Sequence, residues 1–138
     1  MKFIFAFVIF LTSFAISADA ATVKVKINGV KQNAGNIVVG LFSDKAASSF
    51  PGGKPLASKS IPAKENTVNV VFDGVEPGVY AIGVFNDINK NNNLDKGPFG
   101  IPKEQYGNSG EKTSRQPVFT KSKFEVGNEG KQIELQVH

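Results

Sequence analysis

The 138-residue chain contains no cysteine and no tryptophan, and its only histidine is the last residue, His138. Without cysteine there is no disulfide, no thiol nucleophile and no acylated-cysteine anchor. Without an internal imidazole, Ser-His and Cys-His catalysis lose their base, and no Gly-x-Ser-x-Gly elbow occurs. A terminal histidine reads as a frayed end. Arginine is nearly absent too: Arg115 stands alone, and the formal net charge of +4 is carried by dispersed lysines. A nucleic-acid site would want a clustered basic stripe with arginine, so no nucleic-acid partner is expected.

Long apolar runs are missing everywhere but at the start, where Met1-Lys2 leads into Phe3–Leu11 and a softer stretch ending Ala18-Asp19-Ala20. One positive charge, an apolar run and a small-x-small exit describe a secretory signal peptide. The run is shorter than the roughly 20 apolar residues of a spanning helix. Cleavage is expected after Ala20, which leaves one domain, 21–138, for the periplasm or the exterior, with no transmembrane segment. Five of the twelve phenylalanines (Phe3, Phe5, Phe7, Phe10, Phe14) fall in the leader, so the mature core draws mainly on Val, Ile and Leu. That composition favours strands.

Alternation locates them. In Thr22–Ile27, Val23, Val25 and Ile27 share one face and Lys24 and Lys26 the other, the period of a half-buried strand. Asn36–Phe42 follows a Gly-rich link, and the two runs are expected to pair as a hairpin. Ser43–Gly53 reads as a connection in which Ser43 and Asp44 can cap one short turn of helix through Ala46 and Ala47, ended by Pro51-Gly52-Gly53. Further strands are expected at 56–61, 67–72, 79–85, 118–126 and 132–137, with 79–85 apolar on both faces and therefore central. No window has helical periodicity. The fold class expected is all-β: a seven-stranded antiparallel Greek-key sandwich, immunoglobulin-like or prealbumin-like, with one long functional loop.

That loop is Asn86–Pro117. A stretch of this length without periodicity is usually functional or disordered, and Phe99, Ile101, Tyr106, Pro98 and Pro102 favour an ordered flap. It opens with Asp87, Asn89, Asn91, Asn93 and Asp95 in alternation, with side-chain oxygens at loop positions 1, 3, 5 and 9. Calcium loops use this spacing because alternate side chains converge on the ion, with position 7 offering its carbonyl. Asn92 stands at position 6, where the chain turns sharply, and asparagine tolerates the left-handed conformation. Leu94, at position 8, would anchor the loop apolarly. Position 12 is Pro98, so the bidentate glutamate of a helix-flanked hand is missing. Glu104 is the candidate to complete the shell. With two carboxylates, affinity is expected near 10⁻⁴–10⁻³ M, on the order of extracellular modules. The competing reading is an Asn-rich turn whose side chains cap their own backbone.

The string Phe72-Asp73-Gly74-Val75-Glu76-Pro77-Gly78-Val79-Tyr80, followed by Phe85-Asn86-Asp87-Ile88-Asn89-Lys90-Asn91, Leu94-Asp95 and Phe99-Gly100-Ile101-Pro102-Lys103-Glu104-Gln105-Tyr106-Gly107, resembles the exported bacterial family termed domain of unknown function 2141. That family commonly carries histidine where this chain has Asn86. The resemblance implies a secreted sandwich of prealbumin-like or carboxypeptidase-regulatory-like type with no assigned activity.

The function expected is a non-catalytic exported accessory or binding module with a calcium-steadied loop at 87–106. Phe99, Glu104 and Tyr106 are its contact-surface candidates, and an envelope protein or glycan is its partner. For Phe99 the weightier expectation is that it pins the flap to the sandwich, as apolar side chains usually do. Two alternatives stand beside this: a structural subunit of an envelope assembly, and a metal-assisted hydrolase at Asp87 and Asp95. No catalytic residue is assigned.

Overall fold

The structure, a computed structural model, describes residues 20–112 and 115–138. The expected leader lies outside the described residues except for Ala20. The chain is mostly β, in two sheets. Its strands are β1 (Ala21–Asn28), β2 (Asn36–Ser43), β3 (Ala57–Pro62), β4 (Val68–Val75), β5 (Gly78–Asp87), β6 (Tyr106–Asn108), β7 (Phe124–Val126) and β8 (Lys131–Gln136). One sheet has the order β4-β1-β8; the other has the order β3-β2-β5-β6, with β7 also paired to β5. No helix among the described residues is long and apolar enough to cross a membrane.

The core forms where the two apolar faces meet. Val23, Val25 and Ile27 of β1 face inward with Val70 and Phe72 of β4, and Ile37, Val39 and Leu41 of β2 with Ile82 and Val84 of β5 complete the same buried cluster. Fully burying each such side chain contributes about 1.5–3 kcal/mol over leaving it exposed. Lys24 and Lys26 point outward, as alternation requires. On β4 one extra residue is accommodated between the Ala21↔Val75 and Val23↔Phe72 pairs, where Gly74 has φ 68°. Such a bulge needs a residue at ease with positive φ.

Four expectations require correction. The first two runs do not pair as a hairpin: β1 pairs with β4 and β8, and β2 with β3 and β5. Alternation shows which residues of each run are buried but not which run is its neighbour, and here Val23, Val25 and Ile27 of β1 meet Ile37, Val39 and Leu41 of β2 within one core cluster from different sheets. Val30, 1% exposed, carries the link between them through that core. The pairing is not wholly antiparallel, since β1 and β8 run parallel with Val25↔Ile133 and Ile27↔Leu135 in register. Alternation fixes which face is buried and leaves direction open, and the intervening chain supplies the crossover that parallel neighbours need. Among the described residues there are eight strands where seven were expected, because β6 lies within the expected loop. Finally, 118–126 is not one strand: Phe119–Ser122 forms one helical turn, α1, before β7.

That turn exists because the outer face of the β2-β5 sheet is itself covered at one end. Phe42, Phe50, Ala81 and Phe119 form a second buried cluster there. The Phe42 and Phe50 rings meet edge to face at 5.0 Å, and Phe50 and Phe119 at 6.0 Å. Gly40 and Gly83 are cross-strand partners beneath them. A Cβ on Gly40 would lie 2.8 Å from the Phe42 ring, so the bare backbone makes room for it.

Candidate calcium loop and flap

β5 carries Asn86 and Asp87 into the loop at its buried end; both are fully buried, at 0% and 1% exposure. The flap therefore starts from a fixed base. Asp87 accepts from the backbone N–H of Asn91 at 3.1 Å through Oδ1 and from that of Asn92 at 2.8 Å through Oδ2. The loop turns back at Lys90 (φ 58°) and Asn92 (φ 60°), both left-handed. Asp95 then meets the amides of Asn89 and Asn91, the latter donating Nδ2–H at 2.9 Å. Asp87, Asn89, Asn91 and Asp95 thus form one connected net. Asn93 turns into its own loop: Nδ2 donates to the Asn91 carbonyl at 3.1 Å, and its backbone N–H donates to Asn91 Oδ1 at 2.9 Å. Part of the string therefore caps its own backbone, as the competing reading requires.

Glu104 occupies a place the sequence did not suggest. Expected on a contact surface or in an ion's shell, it is 7% exposed. Its Oε1 accepts from the N–H of Ile88 at 2.9 Å and its Oε2 from that of Asp95 at 3.0 Å. One carboxylate thereby clasps both ends of the loop, which is a bracing role. Gln105 anchors the flap to the rest of the protein: Oε1 accepts from Lys31 N–H at 2.8 Å and Nε2 donates to the Gly29 carbonyl at 2.9 Å. The backbone N–H of Asn86 donates to the Gln105 carbonyl at 2.8 Å. Sequence reasoning missed Gln105, although a polar pair enclosed by Pro102 and Tyr106 is the signal that could have marked it.

The contact candidates separate. Phe99 does not pin the flap: it is 100% exposed at the apex of a hairpin, with φ 61°. Tyr106 is half-buried, and its ring lies 4.8 Å from that of His138. Nor is His138 a frayed end. Its N–H donates to the Tyr106 carbonyl at 3.1 Å, and the Tyr106 N–H returns a bond at 3.3 Å, tying the end of the chain to β6.

The donor set suits a hard cation, since carboxylates and amide oxygens are the ligands calcium prefers. Each amide that meets Asp95 through nitrogen carries an oxygen on the same carbon, and half a turn exchanges them. Among the described residues no group of three or more His, Cys, Asp or Glu could hold a metal ion. The candidate here differs in kind, with two carboxylates and the rest neutral amides.

A two-sheeted β protein with an Asn-rich loop braced at the end of its central strand is the class that fold and site define. A family model described as uncharacterized protein conserved in bacteria (DUF2141) matches residues 25–134, and the chain belongs to that family. No curated protein and no solved structure matches the chain.

Proposed function

We propose that the protein is a non-catalytic, exported accessory or binding module of the periplasm or cell exterior, whose 87–106 flap is steadied by calcium and presents a contact surface. The observation that carries the reading is the convergence of Asn89 and Asn91 on Asp95, beside a buried Asp87 whose carboxylate already organises the same turn. Asp87, Asn89, Asn91 and Asp95 would supply side-chain oxygens and Asn93 its carbonyl. The ion would add charge compensation for two carboxylates held in one loop. Support for export comes from the leader-like 1–20, and support for a non-catalytic role from the lone histidine, engaged with Tyr106. We read the sandwich as immunoglobulin-like or prealbumin-like, a reading supported by two sheets around one buried core.

A calcium titration followed by thermal melting tests the ion. If calcium binds the folded state alone, a free concentration tenfold above Kd stabilises by about 1.4 kcal/mol, a melting shift of ~4–8 °C. Asp87→Ala should abolish the shift. Asp73→Ala should keep it, because Asp73 lies outside the loop, on β4, where it accepts from the Thr22 hydroxyl. Magnesium should substitute poorly, as it demands stricter octahedral geometry. No shift at ~10 mM calcium would leave the backbone-capping turn as the better account, since the expected Kd does not exceed ~10⁻³ M.

A further inference from the structure

The flap ends in a small hairpin that the calcium net does not explain. Lys96 and Pro102 form an isolated bridge, Gly97 N–H donates to the Ile101 carbonyl at 2.7 Å and Lys103 N–H to the Asp95 carbonyl at 2.8 Å. At its apex Phe99 is held left-handed at φ 61°, a region uncommon for a residue with a bulky side chain. Its ring is 100% exposed and Ile101 is 64% exposed. Two large apolar side chains are thus presented outward by a braced turn with a proline on either side. Lys96 and Lys103, both exposed, flank them, and no carboxylate lies between. The nearest carboxylates are engaged inward: Asp95 with Asn91, and Glu104 with Ile88 and Asp95.

We propose that the 96–103 hairpin is a docking tip for a bilayer bearing anionic phospholipid headgroups, with Phe99 and Ile101 entering the interface and Lys96 and Lys103 facing the headgroups. Three considerations select lipid. A stable protein partner needs about 800 Å² from each side, far more than two side chains offer. A glycan wants convergent hydrogen-bonding side chains, which a Gly-Pro-Phe-Gly-Ile-Pro turn lacks. Exposed apolar side chains with a basic rim are what an anionic interface favours, since Phe and aliphatic side chains enter the headgroup/acyl boundary and each nearby lysine strengthens binding to anionic lipid. The proposal rests on the reading of the flap as a contact surface, and not on calcium, because protein hydrogen bonds hold the hairpin.

The test is flotation with vesicles of phosphatidylcholine containing about one third phosphatidylglycerol, in EDTA. Wild type and F99S/I101S are compared in the same form of the chain, so that any contribution of residues 1–20 is common to both. Expected results are a partition at least about ten-fold lower for F99S/I101S, and about 25-fold lower for K96Q/K103Q, some five-fold per lysine. Pure phosphatidylcholine should bind wild type more weakly. Melting temperatures should not fall in F99S/I101S, so a loss of binding is not a loss of fold. Equal partition of wild type and F99S/I101S overturns the proposal, as does tip-dependent capture of a soluble envelope protein or glycan with no tip dependence on vesicles. The calcium melting shift is read separately: its absence beside intact vesicle binding refutes the ion alone, and its presence beside tip-independent binding refutes the docking tip alone.

Discussion

The two regions that flank the β3-β2-β5-β6 strands, one formed by the 44–53 connection with α1 and the other by the flap, are held by opposite means. The 44–53 connection and α1 are held by aromatic rings, Phe50 packing between Phe42 and Phe119. The 87–105 flap is held by directed polar bonds, chiefly from Asp87, Glu104 and Gln105 to backbone groups. Apolar contacts are non-directional and indifferent to ions, whereas carboxylates that organise a backbone can exchange those bonds for a cation. The difference teaches where to expect response to conditions. The polar flap is therefore the segment whose response to ions and to single polar substitutions should be the larger.

The hardest blow to the aromatic side is Phe50→Ala. Phe50 is 5% exposed, and emptying the space between two rings costs about 3–5 kcal/mol. A melting temperature lower by ~12–20 °C is expected. The calcium shift of the remaining folded protein should be unchanged; its disappearance would break the comparison by showing that the two segments depend on one another.

Next in size is Glu104→Ala on the polar side, which strips two backbone N–H groups of their acceptor. A loss of about 2–4 kcal/mol follows. Amide exchange should localise it, with Ile88 and Asp95 losing protection while Val39 and Ile82 in the core keep their local protection. Glu104→Gln, which retains one acceptor oxygen, should lose about half as much. Unchanged exchange at Ile88 and Asp95 would show that the clasp contributes nothing.

The same contrast explains what could be read from sequence. Val23, Val25 and Ile27 announce their face by period two, as do Val68, Val70 and Phe72 of β4, while β5 was legible as central because its run is apolar on both faces. Period two is silent on which strands are neighbours and on direction, so the sheet change after β1 and the parallel β8 were not legible. The 118–126 run misled because Val118, Phe119, Phe124 and Val126 suit a strand, while the demand on Phe119 comes from Phe50, distant in sequence. In the flap, the Asp87–Asp95 alternation was visible as spacing. Glu104 clasping Ile88 and Asp95 was not, because a charged residue far along a loop carries no local mark of being buried. Phe99 was misjudged for the complementary reason: apolar side chains are usually inside, and only the hairpin geometry puts this one out.

The smallest expected effect joins both means in one side chain. The Tyr80 ring belongs to the core cluster, while its hydroxyl donates to the Glu76 carbonyl at 2.6 Å across the turn that carries the chain from β4 to β5. Burial raises the phenol pKa above its ordinary 10.0, and the carboxylates of Glu76 and Asp44 push the same way. The folded state therefore holds this proton more tightly than the unfolded chain. Stability from the protonated hydroxyl is fully present below pH 10 and drains away as pH rises through the elevated folded value. Tyr80→Phe keeps the ring and removes both the hydrogen bond and the titration, so at neutral pH it should cost only about 1 kcal/mol, a shift of ~4 °C. Above pH 10 the wild type should lose stability that the variant does not, and the two curves of melting temperature against pH should converge. Parallel curves through pH 11 would show that the hydroxyl is solvated in the folded protein and that Tyr80 is held by its ring alone.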